Sequence, residues 1–146
     1  MGQKKWFTKD RMEKLFKDKG VEHHDDKLVS FLKNAWYRMN KKTGKNCFGK
    51  KEFVLWYLEE ASKGCYYCEL EQGGVEEVYG HLFREGRRGK FLEIDRKKPK
   101  GKYTESNCVV ACYPCNNAKS DIFDAEVFKD NIGEAVKKWI AEKRRN

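Results

Sequence analysis

The sequence predicts an α+β fold in which two short strands and a helix form a small core, with helices before it and one helix after. Three observations carry that expectation. Apolar residues recur at helical spacing through the first and last parts of the chain. Two β-rich runs, Phe91–Arg96 and Asn107–Cys112, flank a turn that holds Pro99 and Gly101. Two Cys-x-x-Cys pairs, Cys65/Cys68 and Cys112/Cys115, stand 43 residues apart and bracket both strands.

Thr8 is placed to cap a short helix carrying Met12, Leu15 and Phe16, and Gly20 follows its end. Val21–His24 reads as a linker. Asp25 and Asp26 open a second helix on which Leu28, Phe31, Leu32, Ala35, Trp36 and Met39 recur. Residues 40–51, with Gly44 and Gly49, read as a basic loop. A third helix carries Phe53, Val54, Trp56, Tyr57, Leu58 and Ala61 and stops before Gly64. Residues 69–90 hold five glycines among scattered charges and read as irregular. After the strands, Cys112–Cys115 forms a knuckle turn and Asn116 begins a short helix. Asp124 caps a final helix with Val127, Phe128, Ile132, Val136, Trp139 and Ile140 on one face. The expected division is a helical, basic region over 1–64 and a cysteine-stapled core with its C-terminal helix over 65–146.

At 146 residues the chain fits one core, and four Trp, seven Tyr and nine Phe supply bulky side chains for it. No apolar run approaches a membrane span, and the start has no signal-peptide core, so a soluble, cytoplasmic protein without a membrane partner is expected. The net charge of +9 points to a polyanionic partner. Its distribution says more than its total. Residues 38–51 carry six basic and no acidic side chains, residues 84–102 a net +6, and the tail 137–145 a net +4. Residues 52–79 run the other way, with seven acidic and one basic. Separated basic blocks can converge on one phosphate-binding surface, although charge alone does not separate that from a solvated face.

Six cysteines in an intracellular chain favour metal or catalysis over disulfides. A Cys-x-x-Cys turn presents two thiolates to one ion, and two such turns complete a tetrahedral site, so Cys65, Cys68, Cys112 and Cys115 are expected to hold one structural Zn²⁺. In so small a domain that ion contributes folding energy directly. Cys47 and Cys108 read as ordinary thiols. His23 and His24 make a poor metal pair, because adjacent side chains point apart.

The run Ile94–Asp95–Arg96, Asn107, Cys112, Cys115, Asn116 and Lys119 resembles the motif of the HNH (ββα-metal) endonucleases. The likeness extends over about residues 47–140, through FGKKEFVLWY, CYYC and NCVVACYPCNNAKSDIF, to homodimeric restriction enzymes of that family. It implies a ββα-metal core, of the His-Me finger or treble-clef-like kind, in which a hairpin and a helix grip one divalent cation. By that resemblance Asp95 and Asn116 hold a catalytic Mg²⁺ or similar ion, Asn107 orders the hairpin loop, and Lys119 faces a phosphate. A further zinc site near the N-terminus is not expected, since no Cys-x-x-Cys precedes Cys65.

The resemblance also exposes a gap. Most members carry a His general base after the metal Asp, and here that position is Arg96, which cannot accept a proton at neutral pH. Tyr67 is the first candidate for the base, because the family likeness places an active-site Tyr in or beside the first knuckle. Arg96 would favour its phenolate and contact the scissile phosphate. Tyr66 is the weaker choice within the same knuckle. His81 is the alternative base, better matched to neutral pH. Glu93 shares a strand face with Asp95 and could act as base or as a supporting carboxylate.

The implied partner is double-stranded DNA. Lys97 and Lys98, with Lys100 and Lys102, would meet phosphates near the cut, and Arg38–Lys51 the flanking duplex. Base reading would fall to Arg84, Arg87 and Arg88 or to the N-terminal helices. The expected function is a metal-dependent endonuclease of restriction type, or of a phage or mobile element. The alternative is an inactive zinc module that binds nucleic acid. A structural zinc protein with no such partner fits the basic blocks poorly. A palindromic site would imply a two-fold dimer.

Overall fold

The computed structural model describes residues 5–21, 25–43, 48–80 and 89–146. Helix α1 (Lys9–Asp18) starts at Thr8, whose hydroxyl accepts the Arg11 N–H at 3.3 Å, and buries Met12, Leu15 and Phe16. Helix α2 (Asp26–Thr43) begins with Asp25 accepting the Lys27 N–H and turns Leu32, Ala35 and Met39 inward. Helix α3 (Lys50–Ser62) buries Phe53, Val54, Trp56 and Tyr57.

Gly64 ends that helical region with a φ of +85°, and a Cβ there would lie 2.8 Å from the Glu69 carbonyl oxygen. Only glycine lets the chain double back this closely into the first cysteine knuckle. Residues 69–90 are not wholly irregular. A short helix α4 (Gly74–Val78) forms because Val75 and Val78 find burial, after Gly73 has reversed the chain at φ +86°. Val75 and Val78 stand three apart, too few apolar positions for a periodic signal.

Strands β1 (Glu93–Arg96) and β2 (Cys108–Ala111) pair antiparallel, with Glu93 opposite Ala111 and Asp95 opposite Val109. Both are shorter than the β-rich runs in the sequence. Leu92 spends its backbone groups sideways, its N–H on the Gln72 side chain and its carbonyl on the Tyr57 hydroxyl. Gln72 also donates to that hydroxyl, closing a ring that ties β1 to α3. At the other end Asn107 belongs to a 3-10 turn over Glu105–Asn107.

Helix α5 (Tyr113–Lys119) starts inside the second knuckle, three residues before the expected position, with Pro114 in its first turn. Asn116 is therefore within the helix, and its N–H bonds the Cys112 carbonyl. The expectation that Asn116 opens the helix is corrected on that ground.

The last helical stretch comprises α6 (Ala125–Phe128), a π turn (Lys129–Gly133) and α7 (Glu134–Arg145). The π turn inserts one residue into the helical repeat. The expected apolar face is broken there: Phe128 and Ile140 are buried, whereas Val127, Ile132 and Trp139 are exposed. Gly133 takes the inward position instead, with its Cα so close that an added Cβ would meet the Tyr67 carbonyl oxygen at 2.6 Å.

One buried cluster runs from Phe7 through Tyr57, Tyr67 and Val110 to Ile140, on both sides of position 64. Among the described residues no helix is long and apolar enough to cross a membrane.

Candidate metal centre and active site

The four knuckle cysteines come together. Cys65, Cys68, Cys112 and Cys115 are all buried, with their sulfurs within 4.8 Å of one another. The Cys68 and Cys112 sulfurs are 3.7 Å apart, close to the roughly 3.8 Å edge of a tetrahedron with Zn–S bonds of about 2.3 Å. The clamp is tied to the hairpin, since the Tyr66 N–H bonds the Val110 carbonyl and the Cys65 N–H that of Leu70. Hydrogen bonds from Cys112, Cys115 and Cys68 push the Cys65 thiol down, and the same crowding pushes Cys115 up. Four buried sulfurs converging on one point form a donor set that suits zinc.

Beside this centre, β1 lies against α5. Glu93 and Asp95, two apart on the strand, face Asn116 and Lys119, three apart on the helix. Asn116 donates its side-chain N–H to Glu93 at 2.9 Å. The Lys119 ammonium lies 3.1 Å and 3.4 Å from the two Asp95 oxygens. It also donates to the Arg96 carbonyl at 3.0 Å. Asp95 further accepts the Tyr67 hydroxyl at 2.5 Å. Burial pushes the Asp95 carboxyl above the usual carboxylate value, against the pull of Tyr67 and Lys119.

Several placements differ from expectation. Lys119 does not face a phosphate: its side chain is 0% exposed and its ammonium is spent on Asp95 and the Arg96 carbonyl. A position three residues after Asn116 lies on the inner face of a helix that packs on the hairpin, which the motif spacing alone does not reveal. Arg96 does not sit on Tyr67, because neighbouring strand residues point to opposite faces. Its guanidinium lies over the Tyr103 ring, donates to the Gly101 carbonyl and approaches Asp121 at 3.6 Å. Tyr67 is pushed up, by burial first and then by the Asp95 charge, so nothing here favours its phenolate.

Tyr66 points elsewhere, donating to Glu126, with its hydroxyl pushed up to about 12 by partial burial. Asn107 accepts the Lys98 N–H and donates to the Lys98 and Lys102 carbonyls, while its own carbonyl accepts the Lys97 N–H. Lys98 is exposed and Lys97 partly so. His81, His23, His24, Cys47, Arg84, Arg87 and Arg88 lie outside the described residues.

The sequence reading missed the support behind Tyr67. Phe128 packs edge-on against its ring at 5.0 Å, and Gly133 presses on its backbone. The only sequence signal was a glycine within an otherwise helical pattern.

A hairpin and a helix that close on a buried carboxylate beside a four-cysteine clamp define the ββα-metal class of fold. The chain is similar to the solved structure of PacI, described as a rare-cutting HNH restriction endonuclease that perturbs DNA, with a TM-score of 0.61 and 33% identity. The likeness covers 73% of this chain and 74% of that one. The chain belongs to the HNH endonuclease family. No family model and no curated protein matches it.

Proposed function

We propose that the chain is a metal-dependent DNA endonuclease that hydrolyses phosphodiester bonds, with a catalytic divalent ion held by Asp95 and Asn116. The observation that supports this reading is the packing of α5 on β1 of an HNH-family fold, where Asn116 bonds Glu93 and Lys119 bonds Asp95. The residues fit such an ion. Asp95 and Asn116 offer hard oxygen donors, and Glu93 adds a carboxylate bonded to Asn116. When bound, the ion would neutralise charge on the phosphate and on the leaving 3′ oxygen.

The chain's own groups have these parts. Asn116 spends its N–H on Glu93, which leaves its carbonyl oxygen as the ligating atom. Tyr67 holds its proton on Asp95 and so orients that carboxylate. To act as base it would have to lose that proton to solvent as the substrate enters, and His81 is the alternative acceptor. Arg96, on the strand face away from Asp95, would have to release Gly101 and Asp121 to reach the scissile phosphate with its planar fork. Lys97 and Lys98 would hold phosphates near the cut, on a loop that Asn107 shapes. Cys65, Cys68, Cys112 and Cys115 would keep one Zn²⁺ as a structural clamp. Region 1–64 would contact flanking DNA or a second copy of the chain.

Cleavage of supercoiled plasmid or phage DNA, with Mg²⁺ or with EDTA, tests the reading. Discrete Mg²⁺-dependent fragments that disappear in Asp95→Ala are expected, and their ends separate restriction from nicking or homing-type cutting. The second reading, an inactive nucleic-acid-binding module, draws on Arg96 at the base position and on the protonated Tyr67. It predicts salt-sensitive binding without cleavage. A palindromic cut would point to a homodimer, checked by solution mass.

A further inference from the structure

We infer that Lys119 is a positioning residue for the metal ligands, a buried partner of Asp95 that sets the carboxylate and Asn116 in register. The inference rests on the reading of Asp95 and Asn116 as ligands, and deepens it.

Three observations place the ammonium. Lys119 is 0% exposed while Asp95 keeps 8%, so the only open edge of the pair belongs to the carboxylate. A metal and a phosphate would arrive at that edge, whereas the Lys119 ammonium has no exposed surface of its own. The ammonium is also held from more than one direction. It reaches both Asp95 oxygens and the Arg96 carbonyl, so it ties the helix to two successive residues of the strand. Finally, Asn116 stands one helical turn before Lys119 and meets Glu93, two residues before Asp95. The two cross-links fix how far α5 can slide or rotate along β1. That is the motion that would change the spacing of the ligand atoms.

A carboxylate buried without a counter-charge is costly to keep ionised and free to turn. Lys119 acts against both problems before any metal arrives. Groups that orient metal ligands from behind typically change metal affinity by about 10–100-fold when lost. The stem of the side chain packs in the interior, so Met is the closest apolar replacement for it.

The test is Mn²⁺ binding to the zinc-loaded protein, without DNA, followed by electron paramagnetic resonance. Lys119→Met and Lys119→Gln are compared with wild type and with Asp95→Asn, each checked for zinc content and melting temperature. Affinity should fall about 10-fold or more in Lys119→Met and less in Lys119→Gln, which keeps an N–H donor, with zinc content unchanged. Asp95-dependent binding that is equal or tighter in Lys119→Met would overturn the inference alone; tighter binding would mean that the ammonium occupies the ion's own place. If Lys119→Met does not fold, Lys119→Gln decides by the same criterion. Binding absent in wild type, or unchanged by Asp95→Asn, would overturn the ligand reading and this inference with it.

Discussion

Asp95 is pulled two ways. Burial disfavours its charge and has the larger effect, while the Tyr67 hydroxyl and Lys119 ammonium pull the other way. Losing one partner should therefore be felt at the carboxylate first. Tyr67→Phe removes a hydrogen bond to a charged group and should cost roughly 1.5–3 kcal/mol of stability, measured by urea unfolding. If Tyr67 also moves a proton in the reaction, the same change should lower the cleavage rate by about 10²-fold or more. A rate close to wild type would shift the base to His81. Asn107 was legible as a residue that orders the loop because the motif spacing names it, and its three side-chain bonds within that loop show how it would do so. Asn107→Ala should cost about 3 kcal/mol, since each such bond contributes about 1 kcal/mol. Lys119 was not legible in the same way, because a lysine on a short helix reads as exposed until the helix has something to pack on.

Among the elements, the last helical stretch departs most from its periodic pattern. A regular helix through Phe128 would bring Ile132 inward, yet Ile132 is exposed and Gly133 faces Tyr67. The π turn makes the difference, and it is invisible to a period of 3.6 residues. Gly133→Ala should destabilise the chain by about 1–3 kcal/mol, because the new methyl meets backbone that cannot give way easily. Denaturant titration would show it. The far end of α7 is held by Arg144, whose guanidinium bonds both Glu71, before α4, and Glu77, on it. Its hydrogen bonds hold the Glu71 carboxyl below the usual glutamate value of 4.5. That stabilisation is present above pH 4.5 and is lost as the pH falls through the lowered value. Arg144→Gln should therefore lower the melting temperature slightly at neutral pH and make it less sensitive to acid. A melting series between neutral pH and the acid range would check this.

For the molecule as a whole, the cysteine clamp and the shared core decide whether the chain folds. One zinc per chain is expected by elemental analysis. Chelation, or Cys112→Ala, should remove the ion and the cooperative thermal transition together, since structural zinc sites contribute on the order of 10 kcal/mol. The N-terminal helices are part of the same core. Phe53, Val54 and Tyr57 are buried in it, and Tyr57 bonds the residue before β1. A fragment of residues 65–146 should then lose its cooperative transition even with zinc present, as circular dichroism would show.

The sequence by itself determined the candidate residues of the two sites and their order along the chain. Cysteine spacing and the hairpin turn are local patterns that covalent geometry is enough to read, whereas the part of the Ile94–Asp95–Arg96 run came from its resemblance to the HNH motif. Helices α1 to α3 were legible for the same reason, from apolar periodicity and capping residues. Only the tertiary structure decided which side chains meet. It put Lys119 rather than solvent against Asp95, turned Arg96 to the face opposite Tyr67, and set Gly133 in place of Ile132. Each of these depends on which face of one element packs on another, and such a choice is made by the burial energy of the whole core rather than by any short stretch of sequence.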